Sequence, residues 1–193
     1  MRILAIDPGT TVSGVCLYET STTGRGSVRL AISTALNVDV LRWLRAGCAG
    51  GDPEASWDHV AIERFVSHGT IGGDSVLTIL WTGRFQEAAR AGLCHCFLQP
   101  TGGKKRVTLV KRLAVLHHLG IKGNAKGKDG LVIDRCCDMF GGPPRRAAQG
   151  LSKSPGPLYG VAGHAWQALG IALTVAAYAG PMRDADADSG AAR

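Results

Sequence analysis

Two carboxylates in this chain stand where a carboxylate needs a reason. Asp7 follows the apolar run Leu4-Ala5-Ile6, and Glu63 follows Val60-Ala61-Ile62. Each run reads as a buried strand, so each acid emerges at a strand end. A carboxylate there is unfavourable unless something positive sits beside it. If the two strands are neighbours, the two charges also repel each other unless a cation bridges them. Oxygen ligands select hard divalent ions, so one reading is a Mg²⁺ or Mn²⁺ site. The other is that each acid pairs with an Arg or Lys at the lip of the sheet. Cys94-His95-Cys96 is a second cluster with ligand chemistry, but no second ligand pair stands at zinc-site spacing.

The charge pattern indicates a partner. The 193 residues carry a formal net charge of +7, which favours an anionic partner, nucleic acid before membrane. Between Glu87 and Asp129 there is no acidic residue, while Arg90, Lys104, Lys105, Arg106, Lys111, Arg112, Lys122, Lys126 and Lys128 fall in that stretch. Such a one-sign segment is a candidate phosphate-contacting face. No apolar run approaches the ~20 residues of a membrane span, and no signal-peptide pattern opens the chain. The expectation is a cytoplasmic protein whose six cysteines are reduced thiols.

The elements that must position these residues follow from periodicity and punctuation. Strands are expected at Arg2–Ile6, Val12–Tyr18, Ser27–Thr34, His59–Ile62 and Leu93–Leu98, the first two joined by the Pro8-Gly9-Thr10-Thr11 turn. Helices are expected at Val38–Cys48, from Asp74 or Ser75 to about Ala91, at Val107–Leu119, Leu131–Phe140 and Gly163–Tyr178. Arg145–Val161 reads as a mobile loop, and 181–193, with Asp184, Asp186 and Asp188, as a disordered acidic tail. Three strands followed by alternating helices and strands predict one α/β domain over residues 1–180, a mixed sheet flanked by helices. Neither a GxGxxG nor a GxxxxGK[ST] phosphate loop is present.

Taken in order, "ILAIDPGTTVSGVCLY", "VAIERF" and "GHAWQALGIALTVAAY" resemble the RuvC-type Holliday junction resolvases of the RNase H-like superfamily. The basic stretch Arg106–Ile121 and the His in the last motif resemble phage members. The resemblance implies an RNase H-like mixed five-stranded sheet and metal-dependent hydrolysis of branched DNA with Mg²⁺ or Mn²⁺. It implies metal ligands at Asp7, Glu63, His164 and Gln167, and catalytic roles for Asp7, Glu63, His164 and Lys128. It further implies DNA contacts from Arg64, Phe65, Lys104, Lys105, Arg106, Lys126 and Lys128. "SVLTILWTGRFQEAARAG" corresponds to the family's dimer-forming helix, which implies a homodimer. Gln167 departs from the family, which has Asp there. A neutral amide is no base and brings no charge, so weaker metal binding or loss of one of two metals follows. A branched-DNA-binding protein with a degenerate site is the second expectation. An actin-like phosphotransferase, suggested by Asp-Pro-Gly-Thr-Thr, needs two such domains and a second phosphate loop, and neither is visible.

Overall fold

The computed structural model describes residues 1–21, 26–66, 72–95, 106–123, 125–142 and 144–179. Five strands form one mixed sheet: β1 (Arg2–Asp7), β2 (Val12–Glu19), β3 (Ser27–Leu36), β4 (His59–Arg64) and β5 (Arg106–Lys111), in the order β3-β2-β1-β4-β5. β1, β2 and β3 form an antiparallel meander, while β4 and β5 run parallel to β1. Antiparallel neighbours need only a turn, whereas each parallel pair needs a crossover. A helix supplies the crossovers in both cases: α1 (Asn37–Ala46) before β4, and α2 (Gly73–His95) before β5. Then follow α3 (Arg112–His118), α4 (Lys128–Met139), the short α5 (Arg145–Gln149) and α6 (Ala165–Ala179).

Alternation along the strands divides the core into two layers. Leu4, Ile6, Val15, Leu17, Val60 and Ile62 face α1 and α2, meeting Val40, Leu44, Phe85, Ala88 and Ala89. Ile3, Ala5, Cys16, Ala61 and Val110 face the opposite way, onto α6 with α3 and α4 behind it. Ile3 to Ile6 are completely buried, so β1 reads as an unbroken apolar run covered on both faces. The β1–β2 turn is pinned from beneath. Ser13 Oγ donates to Asn37 Oδ1 at 2.6 Å, Asn37 Nδ2 donates to the Gly9 carbonyl at 3.0 Å, and Asn37 N donates to the Thr11 carbonyl at 3.1 Å.

Several expected elements differ. Val107–Leu119 is not one helix. Its first part is strand β5, and the helix begins at Arg112. The apolar residues of this stretch satisfy helical spacing, but the β-branched Val107, Thr108 and Val110 complete the sheet edge beside β4. The strand expected at Leu93–Leu98 is also corrected, because residues 93–95 continue α2. That places Cys94 and His95 on a helix, while Cys96 lies outside the described residues. Arg145–Val161 holds α5 and a two-residue hairpin, Gly150–Leu151 with Ser154–Pro155. Residues 181–193 lie outside the described residues. Among the described residues no helix is long and apolar enough to cross a membrane.

Candidate active site

The site is built by register. β1 and β4 are parallel, with Ile6 opposite Ile62, so the next residues, Asp7 and Glu63, leave the same end of the sheet side by side. Because side chains alternate, Asp7 follows Ile3 and Ala5 onto the α6 face, and Glu63 follows Ala61. On β5, Thr108 and Val110 share that face, Val110 lying opposite Glu63, and Arg112 is the next residue in the alternation. Two acids and a guanidinium thus meet beneath the start of α6.

The two carboxyls stand close enough to share a hydrogen bond when one of them is protonated. Burial pushes Asp7 above the usual carboxylate range, partly offset by that hydrogen bond and by Arg112. Burial, and then the charge of Asp7, push Glu63 up to about 8. Like charges this close in a half-dry setting hold a proton at neutral pH unless a cation replaces it.

Arg112 brings a positive charge beside the two acids. Its Nη1 donates to Gln167 Oε1 at 2.6 Å and lies 3.9 Å from Glu63 Oε2. Its Nη2 donates to Asp129 Oδ1 at 2.5 Å. Asp129 sits in the first turn of α4, so that helix is tied to α6 through one guanidinium. Neither Arg112 nor Asp129 was identified as a site residue by motif. The signal for Arg112 was the strand alternation of β5, hidden by the helical spacing around it.

His164 lies in the turn just before α6, not within the helix. Its carbonyl accepts from the backbone N–H of Gln167 and Ala168, and its Nδ1 is 3.3 Å from Asp7 Oδ2. Two glycines allow this approach. Gly14 pairs directly with Asp7, and a Cβ there would lie 2.3 Å from the His164 carbonyl oxygen and 2.7 Å from its Cβ. Gly163 has a φ of +46°, and a Cβ there would collide with the Ser33 hydroxyl. The imidazole itself is largely solvent-exposed.

The remaining expected residues separate into near and far. Lys128 opens α4, next to Asp129, and the exposed Lys126 precedes it. Arg64 ends β4 opposite Lys111, and the exposed Phe65 follows it, both at the carboxylate end of the sheet. Arg106 opens β5 opposite His59, at the other end of the sheet, roughly 13 Å from the level of Glu63 at strand spacing. Lys104 and Lys105 lie outside the described residues. Gln167 is buried, and its amide oxygen is engaged by Arg112.

Among the described residues no group of three or more His, Cys, Asp and Glu is arranged to hold a metal. The donor chemistry nevertheless fits one class of ion. Mg²⁺ is commonly bound by one or two carboxylates, with waters and substrate phosphate completing the shell, rather than by an all-protein cage. An adjacent carboxyl pair at one end of the sheet is a suitable place for such an ion.

A mixed β3-β2-β1-β4-β5 sheet flanked by helices, with an acid at the end of each of two adjacent parallel strands, is the RNase H-like architecture. Within it, the chain has the fold of RuvC. It is similar to a Thermus thermophilus RuvC structure, with 19% identity, a TM-score of 0.55, and coverage of 93% of this chain and 95% of that one. It is equally similar, at 18% identity and the same TM-score and coverage, to T. thermophilus RuvC in complex with Holliday junction substrate. No protein-family model and no curated protein matches the chain.

Proposed function

We propose that this chain is a structure-selective endonuclease that cuts branched DNA, four-way junctions first, by divalent-metal-dependent hydrolysis of a phosphodiester. The observation that supports it most is the touching pair Asp7 and Glu63, aligned by the β1–β4 register beneath the start of α6. The fold it shares with the junction-bound T. thermophilus protein supports the choice of substrate. Asp7 and Glu63, with His164 beside them, would hold Mg²⁺ or Mn²⁺, which when bound polarises a phosphate and acidifies a water. His164 turns Nδ1 toward Asp7, so that nitrogen is the one that would join the carboxylates on the ion. Lys128 at the start of α4, Lys126 just before it, and Arg64 beside Lys111 at the carboxylate end of the sheet would contact the DNA backbone. Phe65 offers an exposed ring on which an unpaired base stacks at the branch point.

The N-terminal half of α2 supports a homodimer. Val76, Leu77, Ile79 and Leu80 are all largely exposed on a helix whose later residues Phe85, Ala88 and Ala89 are buried. A two-fold pair brings two sites to a junction whose own near two-fold symmetry calls for paired cuts.

A second reading, a junction-binding protein without cleavage, rests on the neutral Gln167 and its bond to Arg112. One experiment separates the two: a labelled synthetic four-way junction with Mg²⁺ or Mn²⁺, wild type beside Asp7→Asn. Symmetric nicks that disappear in the variant while binding persists are the expected result. Tight binding with no cutting in either metal would establish the second reading instead.

A further inference from the structure

Phosphodiester hydrolysis at a pair of metal ions uses one cation on the attacking oxygen and one on the leaving oxygen, with acidic side chains between and around them. This site has too few acids for that. Asp129 is already matched to Arg112 through a short ion pair. Gln167 carries no charge, and its oxygen accepts from the same guanidinium. Among the described residues the donors that remain are Asp7, Glu63 and His164. On the Gln167 side of Glu63 the space belongs to the Arg112 guanidinium, held from three directions by Gln167, Asp129 and Glu63.

We propose that Arg112 is the built-in counterpart of a second cation, so that the centre takes one divalent ion per chain. The inference rests on the metal-dependent reading above. Arginine suits the position because its charge is permanent and its planar fork offers five N–H donors. Two of its nitrogens hold Gln167 and Asp129, and with its side chain 29% exposed the group still reaches solvent, where a phosphate oxygen would lie. The neutral residue at 167 belongs to the same arrangement. An acid there would pair with the guanidinium and pull it off Glu63, whereas an amide oxygen holds it without adding a second countercharge to that of Asp129.

The test counts ions rather than turnover. Mn²⁺ is titrated into the full chain, alone and with a four-way junction, and bound ion is read from the loss of the free Mn²⁺ spin-resonance signal. Wild type and Arg112→Lys are expected to bind one Mn²⁺ per chain. Arg112→Gln combined with Gln167→Asp is expected to bind two, with the broadened signal of a coupled pair. Two ions bound by wild type, or a double variant that stays at one, would overturn the role of Arg112 and leave the nuclease reading intact. A wild type that binds no Mn²⁺ in either condition would overturn the metal centre and this inference with it.

Discussion

Gly14→Ala tests whether the approach of α6 to the sheet sets the chemistry. Gly14 is directly opposite Asp7, and its missing side chain is what the His164 backbone rests on. An added Cβ would lie 2.3 Å from the His164 carbonyl oxygen and 2.4 Å from its carbonyl carbon, where ordinary contact begins at 3.4 Å. The clash is with main chain on both sides, so it cannot be relieved by a rotamer change. His164 must withdraw by roughly 1 Å, which takes Nδ1 from 3.3 Å to beyond hydrogen-bond reach of Asp7. Overpacking of this kind costs about 1–3 kcal/mol, a Tm decrease of several degrees for a chain this size. A 1 Å misplacement of a reacting group is worth ~10²-fold in rate. Junction cleavage is therefore expected to fall about 100-fold in kcat, while junction affinity stays within about twofold, because the lysines proposed to contact DNA are on other elements. Gly83→Ala, in α2 with open space around it, is the control for replacing a helical or strand glycine as such. A Gly14→Ala protein that folds and cleaves at the wild-type rate would refute the positioning role of α6.

Two further outcomes follow from the same packing. Leu77→Asp with Leu80→Asp removes two of the exposed large apolar residues Val76, Leu77, Ile79 and Leu80 of α2 from each protomer, and each fully buried one is worth ~1.5–3 kcal/mol. Sedimentation should show a wild-type dimer and a variant weakened by 100-fold or more; a monomeric wild type, with and without junction DNA, would sink the dimer. His59 is buried at the far end of the sheet, its ring bonded to Thr108 Oγ1 at 2.9 Å and its Nδ1 unpartnered. Burial, reinforced by Arg106, lowers its pKa, so the unfolded chain takes up the proton more readily. Its contribution to stability is complete above pH 6.5 and is lost as the pH falls below that toward its folded-state value. Urea melts of wild type should weaken between pH 7.5 and 5.5 more than those of His59→Leu, and parallel curves for the two would count against a buried neutral imidazole.

Much of the sheet was legible because strand signals are local. Arg2–Ile6, Val12–Tyr18 and His59–Ile62 are short apolar runs bounded by turn residues, and the observed strands contain all three. The last helix was equally clear, although His164 proves to lie in the turn before it, where glycines rather than helical periodicity aim it. The error at Val107–Leu119 had a functional consequence. Read as a helix, the stretch places Arg112 on an arbitrary face. As the residue following strand β5, it joins the face that carries Asp7 and Glu63.

By itself the sequence determined that two acids end two apolar strands, that a basic stretch accompanies them, and that a mixed sheet carries both. Those are consequences of residue type and short-range period, which any stretch of chain displays without its partners. It could not choose between a metal and a basic residue as the answer to Asp7, because that depends on which strands are neighbours and in what register. Only the tertiary structure sets β1, β4 and β5 side by side, so that alternation brings Asp7, Glu63 and Arg112 to one face. Glu63 and Arg112, about 56 and 105 positions from Asp7 and 49 from each other, become its neighbours there through hydrogen-bonded register, a relation between strands that no window of sequence contains.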